Sequence, residues 1–87
     1  MQKYIKRFLE EDIELGEYMV INPCSENEII GSLESYKIDN NNLTLDLELE
    51  NKCKIKYIIE NIKNIVVNGF TNLKCITDNA SVTLEVF

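Results

Sequence analysis

The sequence predicts a mainly β protein: a small, bent antiparallel β-barrel with a short N-terminal helix. Three observations carry this. The chain has 87 residues, enough for one domain (residues 1–87) with one small core, and 12 Ile, 9 Leu and 5 Val dominate it. Its apolar residues recur in short alternating runs, and clusters of Asn, Asp and Gly punctuate those runs. Six short strands at close spacing behind one short helix fit a small barrel. An α+β arrangement, with the helix packed across an antiparallel sheet, is the alternative.

The elements follow in order. In "QKYIKRFLEEDI" the apolar residues Ile5, Phe8, Leu9 and Ile13 fall at helical spacing, which predicts a short helix over about residues 2–11. Lys3, Lys6 and Arg7 precede Glu10 to Asp12, an order that opposes the helix dipole and leaves an extended arm as the alternative. "GEYMVINP" reads as a strand bounded by Gly16 and Asn22-Pro23. "ENEIIGSLESYKI" reads as a second strand. Its apolar phase changes between Leu33 and Tyr36, which predicts a bulge or bend, and Gly31 permits a close backbone approach. "DNNN" at 39–42 is a turn, since Asp and Asn tolerate left-handed backbone and bond to their own main chain.

"LTLDLELENKCKIKY" specifies its own register. Leu43, Leu45, Leu47 and Leu49 share one face, as do Cys53, Ile55 and Tyr57 further on. Pairing positions whose numbers sum to 102 sets Leu47 against Ile55, Leu45 against Tyr57, Glu48 against Lys54 and Asp46 against Lys56. A slip by one residue would set leucines against lysines. Beyond it, "IENIKN" reads as a helical or 3₁₀ turn before the strand "NIVV", and Asn68-Gly69 as a tight turn. "LKCIT" and "SVTLEVF" close the fold as a hairpin around Asp78 to Ala80, with the last strand left as an unprotected edge.

Charge bears on partners. Residues 10–50 hold twelve acids and one lysine (−11), residues 1–9 add +3 and residues 51–87 add +2, which gives the net −6. This field repels a phosphate backbone, so nucleic acid is a disfavoured partner. No apolar run reaches the ~20 residues of a membrane span, and Met1 to Glu10 lacks the apolar core of a secretory signal. Three cysteines, at 24, 53 and 75, form no CxxC pair and no even framework. The expectation is a cytoplasmic protein with reduced thiols, Cys53 and Cys75 in the core and Cys24 exposed in a loop.

The chain contains no histidine, which removes His-based acid–base catalysis, His-activated nucleophiles and most zinc sites. No Gly-rich phosphate loop or EF-hand spacing is present. The expectation is no enzyme activity, no metal and no cofactor.

One resemblance adds to this reading. Gly31, Leu33, Tyr36, Asp39, Asn42, Leu43 and Leu45 stand in an order that resembles the first motif of the Sm-like small barrels, and Val67-Asn68-Gly69 stands where their second motif places apolar-Arg-Gly. The likeness spans about residues 17–76, and SH3-like barrels share part of it. It implies a five-stranded bent barrel, often assembled as a ring, with an RNA-binding pore lined by the turn of Asp39 and Asn42 and by the turn of Asn68 and Gly69; Tyr36, beside the first turn, is a further candidate ligand contact. Asn68 replaces the motif's Arg.

Three functional expectations follow. The first is a non-catalytic module that binds a protein partner, self-associates through edge strands, and belongs to a phage or mobile element, in keeping with the AT-rich coding that Ile, Lys, Asn and Glu imply. The second is an inhibitor that imitates nucleic acid with Glu10, Glu11, Asp12, Glu14 and Glu17 and blocks a host nucleic-acid-binding protein. The third is a divergent Sm-like ring that binds RNA.

Overall fold

The computed structural model describes residues 2–12, 18–23, 27–68 and 72–86, with the backbone alone at Gln2, Tyr4, Glu11, Asp12 and Asn68. The chain begins with α1 (Gln2–Arg7), which widens into a π-helical turn over Phe8–Asp12. Seven strands follow: β1 (Tyr18–Pro23), β2 (Ile29–Asp39), β3 (Asn42–Glu48), β4 (Lys54–Ile59), β5 (Asn64–Asn68), β6 (Asn72–Ile76) and β7 (Ser81–Val86). They form one antiparallel sheet in the order β4-β3-β2-β1-β7-β6-β5. The fold is therefore mainly β with a short N-terminal helix. The sheet is not closed by hydrogen bonds between its end strands, β4 and β5.

Two three-stranded meanders, β2-β3-β4 and β5-β6-β7, are joined by β1, which pairs with β2 through Met19–Gly31 and with β7 through Ile21–Leu84. Met19, Val20 and Ile21 are all buried, as a central strand requires. The sheet curves around one core drawn from both meanders: Met19, Ile21, Leu33, Leu43, Leu45, Leu47, Ile59, Leu73, Cys75, Val82 and Leu84. Ile5, Phe8 and Leu9 of the N-terminal helix join that core, each at most 2% exposed. The apolar spacing that predicted the helix is thus the surface it buries, and burial outweighs the few tenths of a kcal/mol of unfavourable dipole. Ile13 lies outside the described residues.

The predicted hairpin register is present pair for pair, from Leu43–Ile59 to Glu48–Lys54. So is the bulge, as a register shift between Leu33 and Ser35 that leaves Glu34 out of the ladder. The bulge alters the charge pairing. Lys54 turns to Glu34 at 3.2 Å rather than to Glu48 opposite it, while Lys56 remains 3.9 Å from Asp46. Gly31 makes the expected close approach: a Cβ there would lie 3.2 Å from both the Glu48 carbonyl and the Leu47 Cβ.

Four expectations are corrected. "IENIKN" forms no helical turn; it is an irregular crossing between β4 and β5 in which Ile62 is fully buried and its N–H donates to the Asn41 carbonyl at 2.8 Å. "NIVV" counts as a separate strand, making seven. The last strand is not an edge, because β7 is paired on both sides by β1 and β6. Cys53 is exposed although it shares the inward parity of Ile55 and Tyr57. It stands at the hairpin tip, beyond the pair Leu47–Ile55, past the end of the core cluster.

That hairpin tip holds a strained residue. Leu49 N–H donates to the Cys53 carbonyl at 2.8 Å and Lys52 N–H to the Leu49 carbonyl at 3.0 Å, with Lys52 at φ 71. This is the three-residue hairpin loop whose last position wants glycine. Asn40 and Asn61, also left-handed at φ 55, are a residue type that tolerates the conformation. Lys52→Gly is expected to stabilise the fold by up to about 1 kcal/mol, read as a higher urea midpoint with an unchanged slope; an unchanged or lower midpoint contradicts the strain.

Candidate functional site

The residues singled out in the sequence occupy three places. Asp39 and Asn42 flank the β2–β3 turn as a cross-strand pair. There Asn42 Oδ1 accepts the Asn61 N–H at 3.0 Å, so this side chain pins the β4–β5 crossing to the turn. Asn68 ends β5 opposite Asn72, about 13 Å along the strand from Asn64, where the crossing ends. Gly69 lies outside the described residues. Tyr36 faces the N-terminal helix: its hydroxyl donates to Glu10 Oε1 at 2.9 Å. Of the acidic run, Glu11 and Asp12 are described by their backbone in the π-helical turn, and Glu14 and Glu17 fall outside the described residues.

Among the described residues, a groove of about 510 Å³ opens beside the β3–β4 hairpin tip over Glu28, Ile30, Leu49 and Asn51, and two more lie nearer the residues singled out in the sequence. One, of about 380 Å³, runs over the bulge between Glu34, Ser35, Asp46, Lys54 and Lys56. Its polar groups satisfy one another, with the Ser35 hydroxyl donating to Asp46 Oδ2 at 2.8 Å beside the two ion pairs. Lys54 and Lys56 are more than 60% exposed, so water screens each pair to at most about 1 kcal/mol. The other groove, of about 480 Å³, lies between Lys3 and Lys6 on α1 and Tyr36 and Ile38 on β2. Neither brings a nucleophile to a base. Among the described residues, no cluster of His, Cys, Asp or Glu could hold a metal ion, and no helix is long and apolar enough to cross a membrane.

The sheet's ends offer different chemistry. Thr77 N–H donates to the Ala80 carbonyl at 2.9 Å, which makes 77–80, 75–82 and 73–84 the hydrogen-bonded pairs of the β6–β7 ladder. Residues 72, 74 and 76 of β6 therefore face β5 opposite 68, 66 and 64, and the Ile76 carbonyl accepts the Lys63 N–H at 2.7 Å. By alternation, the N–H and C=O groups of Ile65 and Val67 point away from the sheet. The Ile65 amide agrees: its partner is the Asn64 side-chain oxygen, at 2.9 Å. No described strand lies against this edge, and α1 is the described element outside the sheet that approaches β5. Val66 is 44% and Val67 49% exposed, and "NIVVN" carries no charge.

β4 differs. Its bonded pairs with β3 are the odd positions, as the Leu49–Cys53 bond fixes, so Lys54, Lys56 and Ile58 present the free groups. Lysines along an edge oppose strand addition, whereas a bare edge invites it. The β5 edge is thus the candidate site. Sequence analysis missed it by assigning the edge to the C-terminal strand; the lack of charge in "NIVVN" is shared by the central strand β1, "YMVINP", and so does not by itself mark an edge.

No protein-family model matches the chain, and neither a curated protein nor a solved structure does.

Burial first, then the hydrogen bond to Glu10 and its charge, push the Tyr36 hydroxyl above its ordinary 10.0. The folded state keeps a proton that the unfolded state has lost. The corresponding stability is complete below pH 10 and declines as pH rises through 10 toward the folded value. Tyr36→Phe is expected to cost up to about 1 kcal/mol near neutrality. The wild-type advantage should shrink above pH 10 in paired urea titrations; an advantage that ignores pH contradicts the contact's role.

Burial likewise drives the Cys75 thiol up to about 12, leaving almost no thiolate at pH 8. In the native chain a maleimide should label Cys53 and spare Cys75 until denaturant is added. Rapid native labelling of Cys75, assigned by peptide mass, would show that the core is open.

Proposed function

We propose that this chain is a non-catalytic, cytoplasmic interaction module that binds a protein partner by adding a strand to the free edge of β5. The observation that carries the reading is the orientation of Ile65 and Val67. Their backbone donors and acceptors face outward beside the exposed Val66 and Val67, on a strand whose own five residues carry no charge, with the exposed Lys63 immediately before it. Strand addition uses such groups for affinity and flanking side chains for specificity. The net charge of −6 disfavours a nucleic-acid ligand at this or any other surface. Imitation of nucleic acid by the acidic run draws less support, because Glu10 is turned onto Tyr36.

Val67→Pro tests the reading. It removes one outward donor without touching a bond to β6. Captured on the immobilised chain from extracts of its source cells, the partner should be lost by tenfold or more with Val67→Pro. It should be retained with Ile58→Pro, the matching change on β4. Both variants must keep the wild-type circular dichroism. A folded Val67→Pro chain that captures the same partner undiminished would falsify strand addition at β5.

A further inference from the structure

We infer that the strand added to β5 is the β5 of a second copy of this chain, paired antiparallel about a two-fold axis through Val66. The inference rests on the strand-addition reading above and names its partner. Three features of the strand lead to it.

The first is the pattern of "NIVVN". Run antiparallel to itself with position numbers summing to 132, it sets Asn64 against Asn68, Ile65 against Val67 and Val66 against Val66. Polar ends meet polar ends, and apolar residues meet apolar ones. Every pair joins residues of like parity, so the inner face of one sheet continues as the inner face of the other.

The second is the hydrogen-bond phase. The register calls for bonded pairs at 65–67 and 67–65, with Val66 as the close, non-bonded pair on the axis. Those are the groups that the β5–β6 ladder leaves facing outward, while Val66 spends its own on Lys74. The Asn64 side chain, now on the Ile65 amide, is displaced by the Val67 carbonyl of the partner. Four backbone bonds form in place of two side-chain caps.

The third is charge. A neutral strand paired with itself brings no like charges face to face, although each whole chain carries −6. The other end of the sheet, β4, carries Lys54 and Lys56 among its edge positions. Pairing at β5 through a two-fold uses up both bare edges and leaves only guarded ones, so assembly stops at two chains.

Sedimentation velocity across a concentration series, at low and at moderate salt, reads the association directly. Self-association to a dimer is expected, and it should strengthen as salt screens the −6 repulsion. Val67→Pro should weaken it at least tenfold, and Ile58→Pro should not. In a Cys24→Ser, Cys53→Ser background, Val66→Cys should form an interchain disulfide on mild oxidation. The non-bonded pair puts its Cα atoms about 4.5 Å apart, within disulfide reach. Val67→Cys and Ile58→Cys, off the axis, should not cross-link. A wild-type chain that stays monomeric throughout overturns the inference, as does a ring, or a dimer indifferent to Val67→Pro. Should the chain be monomeric while Val67→Pro still abolishes capture of a different protein, the dimer falls and strand addition stands. If Val67→Pro affects neither, both fall.

Discussion

Everything in this fold depends on β1 being paired on both edges. β2-β3-β4 and β5-β6-β7 are local meanders, each built from neighbouring segments with short connections. Neither can bury its inner face alone. β1 holds them in one sheet through Met19–Gly31 on one side and Ile21–Leu84 on the other. The second pairing joins the two ends of the chain, so it carries the largest loop-closure cost of any contact in the sheet. Its return is the single core, in which leucines of β3 and residues of β6 and β7 bury together. Strand β1 also decides where the open edges fall, since by occupying the free side of both β2 and β7 it leaves β4 and β5 at the ends.

The local part of this was legible in the sequence. Register in the β3–β4 hairpin follows from face matching, because each slip costs both an apolar pairing and a charge pairing. The bulge showed as a break in period between Leu33 and Tyr36. What could not be read was any consequence of the third dimension. The exposure of Cys53 depends on how far the core extends under the hairpin, which parity does not encode. Lys54 prefers Glu34 because the bulge brings a third strand's carboxylate beside it. The β1–β7 pairing has no local signature beyond the unbroken apolar run Met19 to Ile21, which marks a central strand without naming its neighbours.

The same limit governed the candidate site. The resemblance to Sm-like small barrels implied ligand contacts at Asp39, Asn42 and Asn68. In the fold, Asn42 fastens the β4–β5 crossing and Asn68 stands at the far end of β5. Tyr36 spends its hydroxyl on Glu10, tying the N-terminal helix to β2. The Asn42 and Tyr36 side chains thus have structural work of their own. Outward-facing backbone groups, by contrast, belong to no residue type, and a motif search cannot find them. They emerge only when the bonded and non-bonded pairs of a ladder are counted across two strands.

An exposed neutral edge is hazardous to any protein, since it templates the pairing of further chains. This chain limits that hazard in two ways that act at different ranges. At long range its net −6 keeps copies apart, which slows encounter and disfavours growth of large assemblies. At contact, Lys54 and Lys56 guard β4, so a sheet extended at β5 offers no bare edge at its other side. A short strand of five residues adds only a handful of backbone bonds, which favours reversible over permanent pairing. Charge at a distance and neutrality at the edge are therefore complementary. The first sets how often two chains meet, and the second sets which strand they can use when they do.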